Sequence, residues 1–362
     1  MKNIHRTYSI ALCFVTMLYQ QRGEIVHQAR LKAMAHLLQG LLMLRQASLS
    51  GMGRGLALLN PEMTFRGQLQ RAHRLIKNPE LDAWETGAAL FAYATQNLER
   101  VTIAVDWTHD GYYEVLEASL ALEGRAIPFY CLAVQREELK GRQTTLELTM
   151  WFALIAMRQP GQTLVVVADR GFAKFDWIGA CEQYPWMHLV LRLKGNTILT
   201  WDDLRAPLRA WPLWPGEQVF IEEARLGVKQ QVLSGVCLAH LGAVAGESWY
   251  LACAAQEGPT VTENYRKRAW IEAQNRDLKS GGGCRIHHCH LATAQRIERL
   301  WVVVGIFFYL SYCTEAVHET EFADRLSRSY KDGRKDLSWF SLAKYAHLSG
   351  RDALVLRPLA GQ

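Results

Sequence analysis

Apolar positions recur with a helical period at both ends of the chain and with a strand texture between them. Within residues 24–98, Leu31, Met34, Leu37, Leu38 and Leu41 form one helical stripe, with Arg30 and Lys32 beside it. Residues 81–98 read as another helical stretch. The texture changes at residues 101–106, a short β-branched apolar run closed by an acid. Residues 112–122 and 126–134 follow, separated by a turn signal at 123–124, and predict a three-strand meander. Residues 144–157 read as an apolar helix, ended by Pro160 and Gly161. Residues 164–169 are the next strand, apolar without alternation up to its closing acid, as suits a strand covered on both faces. A helix over 172–183 and a strand over 188–193 come next.

From 195 to 255 the helical period is lost. Gly and Pro punctuate this stretch, and residues 219–221, 231–233 and 249–251 look like strands, predicting a β-rich insertion. Residues 261–279 return to strong helix closed by the glycines at 281–283, and 291–318 predict a long, largely apolar helix. The order of strands and helices predicts an α/β protein with a ribonuclease-H-like core, a mixed five-stranded sheet flanked by helices. The expected organisation is a helical N-terminal region (1–98), a core in two pieces (99–194 and 256–318), the insertion (195–255) and a short basic tail (319–362).

Composition narrows the class. At 49% hydrophobic and 21% charged, the chain has enough apolar surface to build a core and is not intrinsically disordered. Its net charge of +6 is unevenly spread. Residues 1–50 carry six Lys/Arg and one acid, and residues 265–362 carry sixteen Lys/Arg and ten acids, whereas the middle is mildly acidic. Basic ends hint weakly at a polyanionic partner, although solvated surface is the more ordinary explanation of charge alone. The uncharged stretches 7–21 and 300–314 are 15 residues each, short of the ~18–20 needed to span a bilayer. The first follows Lys2 and Arg6 like a signal peptide, but it lacks a small-residue cleavage site and runs straight into Gln20, Gln21, Arg22 and Glu24. Both are expected to be buried helices of a cytoplasmic protein without membrane contact. The eight cysteines lie mostly in apolar segments, as reduced buried thiols do.

Two strands end in an acid followed by polar or glycine residues, at Asp106 and Asp169. A carboxylate at a strand end sits where a site can form, though a single one is often only a turn initiator. The predicted helix over 261–279 carries a third acid, Glu272, with Arg268 four residues before it, Tyr265 seven before and Lys279 seven after. At ~100° per residue these four fall within roughly 40–60° of one another, so one face presents an acid, two cations and a phenol. An exposed helix with an Arg268–Glu272 ion pair explains the charge but not the spacing. The run from Cys284 to Cys289 with His287, His288 and His290 suggests zinc only weakly, since no second ligand pair stands at the usual spacing.

Tyr265, Arg268, Glu272 and Lys279 match the spacing Tyr-x2-Arg-x3-Glu-x6-Lys. With Asp106 and the run from Val167 to Phe172 around Asp169, the chain resembles the DDE transposases of bacterial insertion sequences, the insertion-sequence-4 family, over about residues 95–315. The resemblance implies that Asp106, Asp169 and Glu272 are catalytic and hold two Mg²⁺ or Mn²⁺ ions about 3.5–4 Å apart. It implies cleavage at terminal inverted repeats and strand transfer of the 3′-hydroxyl end into target DNA. Tyr265, Arg268 and Lys279 would contact the transposon end. Trp249 looks like the family's strand tryptophan that stacks on a flipped base, and Arg192 and Lys194 are candidate phosphate contacts. The partners implied are double-stranded DNA, both transposon ends and target, and a second copy in a homodimer. The location implied is the bacterial nucleoid. The basic N-terminal region would bind the DNA end; the tail is short for a separate dimerisation domain. A nuclease of the same fold, or a non-mobile DNA-binding relative, would share the acids.

Overall fold

The computed structural model describes residues 2–21, 26–122, 124–172, 183–228, 230–240, 248–279, 284–286, 289–314, 319–326, 337 and 339–349. Ten strands form one mixed sheet in the order β3-β2-β1-β4-β5-β10-β9-β8-β6-β7. The meander β1 (Arg100–Asp110), β2 (Tyr113–Leu122) and β3 (Arg125–Gln135) is antiparallel, while β4 (Thr163–Ala168) and β5 (Met187–Arg192) run parallel to β1. The predicted order of the first five strands is therefore present. The insertion differs from the expectation of a five-stranded sheet with an appendage. Strands β6 (Ile198–Trp201), β7 (Leu204–Pro207), β8 (Gln218–Leu226), β9 (Gln231–His240) and β10 (Ser248–Cys253) extend the same sheet. The physical link is β10, which pairs antiparallel with β5, Leu251 opposite Arg192.

The N-terminal helical region consists of α1 (Lys2–Gln21), α2 (Gln28–Leu44), α3 (Leu49–Leu59), α4 (Phe65–Lys77) and α5 (Ala83–Thr95). The breaks fall at capping residues. Backbone N–H groups of Gly51, Gly67 and Glu85 donate to the side chains of Ser48, Thr64 and Asp82. The short α6 (Arg136–Leu139) and then α7 (Gln143–Met157) follow the meander. The helix expected over 172–183 falls almost entirely outside the described residues, with only a 3₁₀ turn at Arg170–Phe172 described.

Beyond β10, residues 261–279 do not form one continuous helix. They form α8 (Val261–Arg266) and α9 (Ala269–Lys279), joined by a tightened turn. There Arg268 N–H donates to Tyr265 O and Ile271 N–H to Arg268 O, an i→i+3 pattern. The glycines at 281–283 lie outside the described residues. Next comes α10 (Ala294–Tyr312), within the predicted 291–318, then α11 (Thr320–Leu326) and α12 (Trp339–Leu348).

The α10 helix is buried on all sides from Leu300 to Tyr312 because it runs along the edge strand β3 and under the N-terminal helices. Phe14 of α1 stacks on Tyr309 with ring centroids 5.2 Å apart. Two glycines permit the close approach to β3. A Cβ on Gly305 would stand 2.0 Å from Pro128 O, and one on Gly87 would stand 2.2 Å from Phe129 O. Both carbonyls belong to the place where the β2–β3 register shifts. Among the described residues no helix is long and apolar enough to cross a membrane. Six of the described cysteines are buried and all are free.

Candidate functional site

The site begins with strand register. In the parallel β1–β4 pair Val105 lies opposite Ala168, so the next residues, Asp106 and Asp169, come side by side. Each acid uses one oxygen locally. Trp107 N–H donates to Asp106 Oδ1 at 2.9 Å, and Arg170 N–H donates to Asp169 Oδ1 at 2.7 Å. The free edge of each carboxylate is left for another partner.

That partner comes from the α8–α9 turn. Small and β-branched residues on one sheet face, Ala104, Val165, Val167 and Val190, pack against Val261, Tyr265 and Ile271 and seat the two helices over the acids. Arg268 lies at the turn, and its guanidinium reaches all three acids. Nη1 donates to Glu272 Oε1 at 2.7 Å, while Nη2 lies 3.5 Å from Asp106 Oδ2 and 3.7 Å from Asp169 Oδ2. Nε is buried without a hydrogen-bond partner. Burial pulls the Arg268 pKa down, but the neighbouring carboxylates outweigh it and leave the group held more firmly charged than usual. Burial pushes the Asp106 pKa up to about 6, against the Arg268 charge and the Trp107 N–H, which both pull it down.

The other predicted site residues divide into two groups. Tyr265 is buried, its hydroxyl 3.5 Å from Asp169 Oδ1, and Trp249 packs edge-on against its ring at 5.0 Å. Burial raises the Tyr265 pKa to about 12, against the Arg268 charge; the Arg192 side chain is beside it as a charge and a hydrogen-bond partner. Arg192 ends β5, next to β4 and its acid. On the other side, Lys279 Nζ donates to Thr108 Oγ1 on β1. Burial lowers the Lys279 pKa, opposed by Glu117, Asp110 and Asp106. Lys194 is exposed, two residues beyond the end of β5.

Several polar residues that support the site carry no motif in the sequence. Glu117 and Glu147 are both fully buried. Glu147 on α7 accepts from Trp107 Nε1 at 3.1 Å and from Gln143 Nε2 at 2.8 Å, fixing the residue beside Asp106. Glu257, just before α8, accepts from Arg100 on β1, His188 on β5 and Asn264 on α8. Burial alone would raise the Glu257 pKa, but the bonds from His188 and Arg100 leave it lowered. For Glu117 and Glu147 the sequence signal is a charged residue within an otherwise apolar segment, which marks a buried acid only once its partners are known; Glu257, in a polar turn, has no such signal.

The donor chemistry fits a hard divalent cation. Three carboxylates from separate elements face one positive group, and no sulfur or imidazole joins them. As arranged, no three Asp, Glu, His or Cys side chains among the described residues stand close enough together to hold an ion. The cation that draws these acids together is the Arg268 guanidinium.

A second basic feature lies in the N-terminal region. A groove of about 620 Å³ between α2 and α4 is lined by His27, Arg30, Lys32, His36, Arg71 and Arg74, among others. Lys32, Arg71 and Arg74 are exposed, while Arg30 pairs with Glu80 at 3.3 Å. Burial lowers the His36 pKa; the nearby Arg71 charge adds to this, and a bond to Lys32 O opposes it.

No known family model matches the chain, and no curated protein matches it.

Proposed function

We propose that this protein is a DDE-type DNA transposase with a ribonuclease-H-like core, similar to those of the insertion-sequence-4 family. The observation that carries the reading is the convergence of Asp106, Asp169 and Glu272 on Arg268, with Tyr265 against Asp169. Acids far apart in sequence, on two strands and a helix, come to one point together with residues of the Tyr-Arg-Glu-Lys spacing. The strand order β3-β2-β1-β4-β5 supports the same core.

In this reading Asp106, Asp169 and Glu272 hold Mg²⁺ or Mn²⁺. Bound there, the ions supply activation of water or a 3′-hydroxyl and neutralisation of charge at the scissile phosphate. The chain's own groups do the rest. Arg268 exchanges carboxylate partners for a DNA phosphate. Tyr265 and Arg192 line the β4–β5 side of the acids, and Lys279 lines the β1 side. Trp249 offers its ring to a base displaced from the end. The groove between α2 and α4 grips the backbone of the transposon end through Lys32, Arg71 and Arg74. Two copies acting on two ends, in the bacterial nucleoid, complete the proposal.

The test is direct. The protein is incubated with Mg²⁺ and a duplex bearing the terminal inverted repeat that flanks its reading frame, together with a supercoiled target. Nicking at the repeat end and joined product are expected for the wild type, and neither for Glu272→Ala. Nicking without joining would point to a nuclease. The absence of any difference between wild type and Glu272→Ala would overturn the assignment of the acids.

A further inference from the structure

Two of the three acids are fixed relative to each other by the β1–β4 ladder. Glu272 belongs to no ladder, so its place depends on how α9 is held over the sheet.

A fourth carboxylate stands at that junction. Glu117 on β2 pairs with Asp106 across the antiparallel β1–β2 ladder, so both side chains leave the same face of the sheet. Glu117 is fully buried. Its Oε1 accepts from Asn275 Nδ2 at 2.5 Å, and its Oε2 accepts from Gln274 Nε2 at 3.2 Å and Trp301 Nε1 at 2.9 Å. Gln274 and Asn275 follow Glu272 by two and three residues on α9, and Trp301 belongs to α10. One side chain thus ties the helix of the third acid to the strand beside the first. Lys279 is the nearby cation; its Nζ bonds Thr108 Oγ1, and its charge reaches Glu117 without a hydrogen bond to it. A buried carboxylate whose hydrogen bonds all come from neutral donors costs desolvation that an apolar side chain of similar size would avoid. Fold stability alone therefore does not account for an acid here.

We infer that Glu117 is a positioning residue that sets the height and rotation of α9, and so the placement of Glu272 relative to Asp106. The inference rests on the reading of Asp106, Asp169 and Glu272 as cation-holding acids. Residues supporting metal ligands in this way typically change metal affinity by ~10–100-fold when removed.

A conservative rescue is available. Gln274 Oε1 and Asn275 Oδ1 are buried without hydrogen-bond partners. If either amide turns over, it presents an acceptor to the new –NH₂ of Glu117→Gln, so that variant keeps the tie. Gln274→Ala with Asn275→Ala cuts the tie to α9 and leaves Glu117 bonded to Trp301.

The probe is Mn²⁺ alone, titrated into the full-length protein without DNA and followed by electron paramagnetic resonance, with circular dichroism confirming the fold. Glu272→Ala should weaken binding strongly. Gln274→Ala/Asn275→Ala should weaken it by ~10-fold or more, and Glu117→Gln should stay near wild type. Wild-type affinity in the double variant, with Glu272→Ala impaired, would overturn the role of Glu117 and leave the acids standing. Unchanged binding in Glu272→Ala would overturn both.

Discussion

Arg268 Nη1 donates to Glu272 Oε1 at 2.7 Å, one helical turn away, while Nη2 of the same guanidinium faces Asp106 and Asp169. A side chain from the turn between two helices therefore acts as the counter-ion of the whole acid cluster. One positive charge offsets part of the negative charge of three carboxylates.

On the proposed function, Arg268 competes with metal for the acids in the absence of DNA. Arg268→Ala should bind Mn²⁺ about tenfold more tightly without DNA, since a charge-assisted bond of ~1.5 kcal/mol no longer has to be broken. The same variant should lose DNA cleavage. Isothermal titration with Mn²⁺ tests the first part; equal or weaker binding would show that the guanidinium helps to gather the acids instead.

Glu117 gives stability a pH dependence of definite sign. Burial raises its pKa to about 7, against the bond from Trp301, so the folded protein holds this proton more tightly than the unfolded chain does. The group's contribution therefore becomes less favourable as pH rises from the ordinary carboxylate range to about 7, by ~3 kcal/mol. Glu117→Gln cannot titrate. Chemical denaturation of both proteins at several pH values should give a difference in stability that moves in favour of the variant as pH rises. A constant difference would sink the argument.

Gly305→Ala should destabilise the protein despite alanine's better helix propensity. The gain in propensity is ~1 kcal/mol, whereas the added Cβ would sit 2.0 Å from Pro128 O. Displacing α10 from β3 should cost ~2–4 kcal/mol. Thermal melting decides it, and a raised midpoint would mean that the helix slides freely on its strand.

The groove between α2 and α4 is predicted to neutralise phosphates. Reversing Arg71 and Arg74 to Glu should weaken binding to duplex DNA and lower the slope of log affinity against log salt by ~2. Fluorescence anisotropy at several salt concentrations measures both. An unchanged slope would move the DNA path off this face.

The parts of the site that announced themselves were those with a local signature. Asp106 and Asp169 each close an apolar β-branched run, and the spacing around Glu272 is fixed within one segment. What stayed hidden depended on distant partners or on weak local cues. Glu117 meets Gln274 and Asn275 across separations of 157 and 158 residues, so nothing near it marks its role. The turn at Lys267 and Arg268 contains no glycine or proline, and its helical stripe runs through unbroken. Strands β6 and β7, at one end of the sheet, are four residues each, too short for a strand period to show in the sequence. The breaks at Ser48, Thr64 and Asp82 stood in the sequence as capping residues, two of them preceded by Asn-Pro at 60–61 and 78–79, signals that a single helical reading of 24–98 passes over.

The pairing of β5 with β10 has a consequence for how such a chain can change over time. The backbone leaves the core after Arg192 and rejoins it on the adjacent strand, where Leu193 N–H meets Tyr250 O at 2.7 Å. Entry and exit are neighbours, so the excursion between them can be lengthened, trimmed or re-sequenced while both doorposts stay where they are. The acids do not register its length. Divergence among descendants of this gene should accumulate on the outer strands first, around an unaltered centre.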